Sequence, residues 1–316
     1  MKGRPRLLWL YSGHAIRCAL SLAILWAVSS SRAEDNPPPA IKTPARKAMN
    51  IAQELDADYS YVGGAQLQRG HTDYGSLTEQ LGEVKYVFSP QVTRDFLLRV
   101  GAEWRRFTFG IPDHAPVPDV LQQVSAVIGC DFQLADRWLV RAELQPGVYS
   151  DFSDISWRDA NMPLIVGALF LKSADLQFVI GLQVDVRSEY PVLPAAGARW
   201  KFAEEWTLNL IMPSPRIEYE ANEKLVLYAG ANVESGTFKV SDRFGQHHGD
   251  PKLDHASLDY FEIRTGPGLV WKVLPDVTVE IEAGAMLHRE FRFVDEDTTI
   301  RSHAAPYGQI ACHARF

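Results

Sequence analysis

The densest group of side chains that could do chemistry lies between Ser241 and Ala256, where the sequence reads SDRFGQHHGDPKLDHA. Its imidazoles and carboxylates include His247, His248, Asp250, Asp254 and His255. Both groups are ligands that zinc and similar ions accept. Their spacing matches no standard metal site, however, and Gly245, Gly249 and Pro251 favour an irregular loop. We therefore expect a solvated loop, with metal capture as the alternative, and no cofactor.

A second arrangement could support hydrolysis, because His255 precedes Ser257 by two positions. A serine hydrolase needs a Ser/His pair and a third group that orients the imidazole. No recognisable motif surrounds this pair. The sequence therefore does not predict an enzyme, and a hydrolase is only a distant alternative. Its activity would have to disappear on Ser257→Ala or His255→Ala.

Charged residues at alternate positions form the larger set of candidates. Residues two apart in a β-strand point to the same side, and Glu280 and Glu282 alternate with the apolar Val279 and Ile281. We expect a lumen lined by Arg99, Glu103, Arg105, Arg141, Glu143, Asp185, Arg187, Glu262, Arg264, Lys272, Glu280 and Glu282. Such charges either keep a lumen wet enough for small solutes or pair across strands and fill it.

The elements that position these charges are strands, and the last one shows the pattern. Phe316, Ala314 and Cys312 share one face, whereas Arg315 and His313 share the other. An antiparallel sheet with one wet face would show this alternation, and so would a barrel whose apolar face meets lipid. A final strand that ends in an aromatic residue resembles the closing strand of bacterial outer-membrane β-barrels. In those proteins it is the signal for the barrel-assembly machinery, a role that here would fall to Phe316.

The connections between strands favour the barrel. Short turns are predicted at 89–93, 135–136, 173–175, 203–205, 221–223 and 274–275. Longer or more polar connections are predicted at 70–77, 109–119, 150–161, 188–194, 241–256 and 294–304. The two kinds alternate, as they do in outer-membrane barrels. If Pro213-Ser214-Pro215 is a tight outer connection, the fold is an all-β, antiparallel, up-and-down transmembrane barrel of about fourteen strands; if these prolines only kink one strand, the count is about twelve.

The N-terminus predicts export. Lys2, Arg4 and Arg6 precede an apolar stretch at 19–28, and a plausible cleavage site follows, so residues 1–33 are expected to be a signal peptide. The stretch is short for a transmembrane anchor. Residues 34–56 are expected to form a periplasmic linker with a short helix, and residues 57–316 the barrel.

The charge balance argues against nucleic acid as a partner. Removing residues 1–33 takes five of the 32 basic residues and none of the 39 acidic ones, which leaves 27 − 39 = −12. Polyanions require basic surfaces. The remaining cysteines, Cys130 and Cys312, lie far apart, and we interpret both as small apolar residues that face lipid rather than as a disulfide.

One segment resembles a known family. Leu193–Asn232 reads LPAAGARWKFAEEWTLNLIMPSPRIEYEANEKLVLYAGAN, with a core of Trp206-x-Leu208-x-Leu210-x-x-Pro213-x-Pro215-x-x-x-Tyr219. This resembles a bacterial family of signal-bearing outer-membrane barrels known only as a domain of unknown function. The resemblance implies a barrel and no catalytic residues.

We therefore expect a porin-like outer-membrane protein of a Gram-negative-type envelope, in contact with lipid. The favoured function is a passive or weakly selective pore for small hydrophilic solutes. The first alternative is a non-conducting structural or adhesion-type barrel that presents extracellular loops, and an outer-membrane hydrolase is the distant one. The rival fold is a soluble β-sandwich or lipocalin-like barrel, in which the apolar face would point inward.

Overall fold

The computed structural model describes residues 51–316 except Asp113 and Asp297. The predicted signal peptide and most of the predicted linker lie outside the described residues. Residues 51–56, which the sequence assigned to that linker, form the start of the first strand rather than part of a helix, because they pair with strands on both sides.

Seventeen strand segments form one sheet. They are β1 (Ile51–Arg69), β2 (Thr72–Thr93), β3 (Phe96–Gly110), β4 (Val120–Ala135), β5 (Trp138–Leu144), β6 (Gly147–Ser150), β7 (Ala160–Asn161), β8 (Leu164–Leu171), β9 (Leu176–Val184), β10 (Val192–Lys201), β11 (Trp206–Asn209), β12 (Arg216–Asn222), β13 (Leu225–Lys239), β14 (Ser257–Leu274), β15 (Val277–Phe293), β16 (Thr298–Ser302) and β17 (Ala305–Arg315). The connections contain α1 (Phe244–His247) and 3₁₀ turns at Trp157–Asp159, Pro251–Leu253 and Val294–Glu296. No helix of the described part is long and apolar enough to cross a membrane.

The sheet closes into a barrel. Three strands of the barrel are interrupted, each forming two segments: β5 and β6, β7 and β8, and β16 and β17. The 17 segments therefore make 17 − 3 = 14 strands around the barrel. Closure occurs between β1 and β17, which pair from Glu54↔Arg315 to Val62↔Tyr307. The prediction of fourteen strands is confirmed, because Pro213-Ser214-Pro215 lies in the connection between β11 and β12.

Apolar side chains cover the outside of this barrel. On β17, the outward Ile310 is 50% exposed, whereas its inward neighbour Ala311 is 4% exposed. The exposed large apolar side chains at outward positions include Trp104, Ile128, Ile180, Trp200, Leu227, Trp271 and Ile281. The charged face turns inward, which is the reverse of the soluble-barrel alternative. Cys130 and Cys312, the cysteines of the described part, are free and lie on outward positions.

The two ends of the barrel differ. Short turns lie at one end together with Ile51 and Phe316, and we call this the turn end; the longer connections lie at the opposite, loop end. The long connection predicted at 70–77 was wrong, because only Gly70 and His71 separate β1 from β2. Gly70 has a φ of 60°, a left-handed conformation that glycine adopts without steric cost and that permits a tight hairpin.

Candidate functional site: the barrel interior

The ring of strands narrows at the loop end. Lys239 at the end of β13 pairs with Ser150 at the end of β6. The next backbone N–H, that of Asp151, donates to the Lys239 carbonyl at 3.1 Å. The strands β7–β12 lie between these two partners in the sequence, so they are left out of the ring at this level.

An apolar cluster, which we call the plug, fills the narrowed ring. Its buried members come from the ring strands and from the connections at 111–119 and 240–256: Leu67, Leu77, Leu81, Phe107, Phe109, Ala115, Val117, Leu121, Tyr149, Phe238, Val240, Phe244, Leu253, Ala256, Leu258, Tyr260, Phe291, Phe293 and Ile300. The rings of Phe109, Tyr260 and Phe291 meet with centroids 5.1 to 5.8 Å apart. The plug closes the straight route along the barrel axis.

Two arginines and two glutamates form a buried group next to the plug. Arg264 Nη2 lies 2.9 Å from Glu79 Oε1, and Arg289 Nε lies 2.6 Å from Glu262 Oε2. Arg264 also pairs with Glu262. All four side chains are 0% exposed, and the Tyr260 hydroxyl of the plug donates to Glu79 at 2.7 Å. Equal numbers of opposite charges balance here, and none of these side chains is exposed to bulk solvent.

Similar groups continue toward the turn end, inside β1–β5. Lys85 Nζ lies 2.8 Å from Glu143 and 3.2 Å from Glu103. Arg99 donates two hydrogen bonds to Glu54, at 3.0 and 3.1 Å, the fork geometry that favours carboxylate recognition. The remaining members are Gln123, Asp131, Arg141 and Gln145. On this side of the barrel, paired charges fill the interior.

The interior beside β10–β13 instead holds a cavity of about 1600 Å³, including space open to solvent. β11 and β12 contain 4 and 7 residues, and they contribute Asn209, Arg216 and Glu218 to its lining. The groups that face them from the other strands include Asp56, Asp58, Glu83, Arg105, Glu280, Glu282, Gln309, His313 and Arg315. Pro213 and Ser214 line its upper edge beside Asn232.

Arg216 organises the charges of this cavity. Its Nε lies 2.7 Å from Glu218 Oε1, and its Nη1 lies 3.0 Å from Glu280 Oε1. Its guanidinium carbon is 4.5 Å from the ring centre of Tyr228, within range of a cation–π contact. The Tyr228 hydroxyl is in hydrogen-bonding range of Glu280 at 2.6 Å and of Glu282 at 2.7 Å.

Acidic groups outnumber basic ones in the lining. Its seven carboxylates belong to Asp56, Asp58, Glu83, Glu218, Glu234, Glu280 and Glu282, and its four guanidinium groups belong to Arg105, Arg199, Arg216 and Arg315. With His313 left out of the count, the formal balance is 4 − 7 = −3. A negative lining of this kind concentrates cations.

The structure divides the predicted lumen residues between these two sides. The filled side contains Arg99, Glu103, Arg141, Glu143, Glu262 and Arg264. Arg105, Glu280 and Glu282 line the cavity, and Lys272 lies on β14 near the turn end. Asp185 and Arg187 lie in the connection between β9 and β10 rather than on a strand.

Sequence reasoning missed the neutral polar groups of the cavity, Asn209, Ser214, Tyr228 and Asn232. Their signal was present in part: Asn232 stands two residues before Glu234 and Tyr228 stands four residues before Asn232, so all three share one strand face.

The metal-ligand candidates of the loop do not converge. No group of three or more His, Cys, Asp or Glu residues in the described part could hold a metal ion. Asp254 accepts a hydrogen bond from Gln246 at 2.8 Å, and Asp250 pairs with Arg69 at 3.3 Å. These contacts fasten the loop over the plug.

The candidate Ser/His pair has other partners. His255 Nδ1 lies 2.7 Å from Asp242 Oδ1. The Ser257 backbone N–H donates to Asp295 at 3.2 Å. The Asp242 carboxylate could orient the imidazole, but His255 Nε2 lies 3.5 Å from Arg158 Nη1, and no contact in the described part joins His255 to the Ser257 hydroxyl, so the Ser/His pair of a hydrolase is not formed.

A family model, described as a domain of unknown function (DUF6268), matches residues 95–302. The match contains Leu193–Asn232, so the resemblance seen in the sequence is confirmed. No curated protein matches the chain.

Several solved barrels are similar in structure. The COG4313 outer-membrane channel from Pseudomonas putida F1 is 9% identical over 88% of this chain and 100% of that one, with a TM-score of 0.46. The Ralstonia pickettii toluene transporter TbuX is 11% identical over 85% and 90%, with a TM-score of 0.37. The NanC porin is 12% identical over 82% and 98%, with a TM-score of 0.35.

Proposed function

We propose that this chain, which belongs to the DUF6268 family of unknown function, is an outer-membrane channel for small hydrophilic solutes with a preference for cations. The observation that carries the proposal is the polar cavity of about 1600 Å³ beside β10–β13. A barrel that only had to be stable could fill this space as it fills the opposite side. The negative balance of the lining supports the cation preference.

The outward apolar face supports the location. Lipid accepts a barrel whose strands pair around a closed ring, as β1 and β17 do here, and the exposed Trp200 and Trp271 suit its interfaces. In this proposal Phe316 carries the assembly signal, and residues 1–33 are removed on export. We also propose that the protein is not an enzyme, because the described residues that line the cavity form no catalytic arrangement.

Planar-bilayer recording of the refolded protein tests the proposal. A heat-modifiable gel shift first shows that the barrel has folded. We expect discrete current steps with a reversal potential that favours cations, and a shift toward neutrality in Glu280→Gln/Glu282→Gln, because both carboxylates line the cavity. Glu54→Gln is the matched control, since this carboxylate is bound by Arg99 on the filled side.

The plug favours one alternative, a non-conducting structural or adhesion-type barrel whose loops face outward. The plug seals the barrel axis with apolar groups that include residues of the connections at 111–119 and 240–256. A correctly folded, inserted protein that passes no current under any applied voltage would establish this alternative and contradict the channel.

A further inference from the structure

A gap interrupts the barrel wall between β10 and β13. β12 pairs with β13 only as far as Gly230. The next contacts along that edge are the N–H groups of Ala231 and Val233, which donate to Pro215 and Pro213 at 2.9 and 3.1 Å. Among the described residues, no strand pairs with this edge again until Lys239 meets Ser150.

The gap has a simple origin in strand length. β11 ends at Asn209 and β12 begins at Arg216. Both positions lie farther from the loop end than the ends of β10 and β13. The edge of β13 at Ser235–Thr237 therefore faces β10 without a strand between them. We call this opening, bounded by β10, the connection 210–215 and Ser235–Thr237, the notch.

Polar groups lie on both sides of the notch. From the cavity, Arg105 Nη1 donates to the Ser235 carbonyl at 3.3 Å and Nη2 lies 3.4 Å from Glu234. On the outer side lies a second cavity of about 750 Å³, including open solvent, which is lined by Leu193, Ser235, Gly236 and Thr237. Arg105 and Ser235 therefore connect the two linings, because Arg105 lines the first cavity and Ser235 lines the second.

One segment covers the notch from outside. This segment, residues 185–191, which we call the strap, joins β9 to β10 and crosses to β14 and β15. The Ser188 hydroxyl and the Glu189 backbone N–H donate to Asp259 Oδ2 at 3.1 and 2.9 Å. Glu189 also pairs with Arg292.

These anchors lie on the outer face of the wall. Asp259 stands between Leu258 and Tyr260, and Arg292 stands between Phe291 and Phe293; all four neighbours belong to the plug inside. Since side chains alternate along a strand, Asp259 and Arg292 point outward. The strap is held there by hydrogen bonds and an ion pair, which can exchange for water at little net cost.

We propose that solutes leave the cavity sideways through the notch, and that the strap is the latch that closes this exit, with Asp259 and Arg292 as its anchors. This inference rests on the proposed channel function and adds the route and its gate. The axial route would require the whole plug to unpack. The notch requires only that the strap lift and that Arg105 swing aside.

A reversible cross-link tests the latch directly. In the protein without residues 1–33, which contain Cys18, Cys130→Ser/Cys312→Ser provides a background without competing thiols, and Ser188→Cys/Asp259→Cys adds a pair at a position where the native side chains touch. We expect the oxidised protein to lose its current steps and the reduced protein to regain them. Oxidised Ser188→Cys and Asp259→Cys single variants are the controls and should keep conducting.

Loosening the latch should have the opposite effect. Asp259→Asn and Arg292→Gln are expected to raise the fraction of time that the channel is open, whereas Glu223→Gln, an exposed residue in a turn at the other end, should leave it unchanged. A verified cross-link that leaves conduction intact would overturn the latch while the channel proposal stands. If the wild type, the reduced Ser188→Cys/Asp259→Cys variant and Asp259→Asn all pass no current, both the channel proposal and the latch are overturned.

Discussion

The long-strand side and the short-strand side of this barrel solve different problems. β1–β4 contain 19, 22, 15 and 16 residues, whereas β8–β12 contain 8, 9, 10, 4 and 7. A transmembrane strand needs about 9–11 residues. The long strands have inward positions to spare, which the plug and the ion pairs occupy. The short strands leave a cavity beside them and, nearer the loop end, the notch.

The difference teaches that identical charge types have opposite uses in one lumen. Arg264 and Glu79 lie 2.9 Å apart, are 0% exposed and compensate each other. Arg216 and Glu280 touch as closely, at 3.0 Å, but border a cavity and keep 23% and 19% exposure. Water access, rather than pairing, separates a structural group from one that a solute can meet.

Removing one charge from the dry group should have the largest effect. Arg264→Met leaves Glu79 and Glu262 with one cation, and breaking a buried pair costs about 3–5 kcal/mol of unfolding free energy. Tryptophan fluorescence during denaturant unfolding in detergent measures the loss. Arg216→Met is the matched change on the cavity side and should cost less, since water can solvate the partners left behind. Equal losses would erase the distinction between the two sides.

Truncation within the plug should have the next largest effect. Leu253 is 0% exposed and comes from the connection that closes the loop end. Leu253→Ala should therefore cost about 2–5 kcal/mol in the same assay, because it leaves a cavity in a packed cluster. Leu210→Ala, at a side chain that is 50% exposed beside the notch, serves as the control. A similar loss at both positions would contradict a packed plug.

The smallest effect is expected at the ion pair of Lys201 with Glu220. The atoms are 3.3 Å apart and the side chains are 31% and 35% exposed, so Lys201→Gln should cost about 0–1 kcal/mol. Lys85→Gln removes a lysine that is 4% exposed between two glutamates and should cost several times more. If Lys201→Gln lowers the free energy of unfolding more than Lys85→Gln does, burial does not determine how much these charges stabilise the barrel.

Much of this architecture follows from alternation in the sequence. The period of two identified the wet face, and Pro213-Ser214-Pro215 supplied the connection that brings the count to fourteen. The length of the connection after β1 was misjudged, because the polar residues at 71–73 suggested a loop where Gly70 permits a two-residue turn.

The division of the lumen could not be predicted in the same way. Whether Glu103 meets Lys85 or a solute depends on how high each strand rises relative to strands far away in sequence. The strap did leave a signal: Asp259, Glu290 and Arg292 are charged residues on the outward face of β14 and β15. Charges at positions that should meet lipid indicate that something polar covers them.

Thiol accessibility measured during conduction tests the central claim most directly. In the Cys130→Ser/Cys312→Ser background without residues 1–33, which contain Cys18, single cysteines replace Ser214 and Asn232 in the cavity or Ser60 and Ser125 on the filled side, where exposure is 0% and 4%. We predict that a charged, water-soluble thiol reagent modifies Ser214→Cys and Asn232→Cys and changes their current, while Ser60→Cys and Ser125→Cys remain unmodified in the folded barrel. Modification of the filled-side cysteines with a change in current, and none in the cavity, would contradict the account.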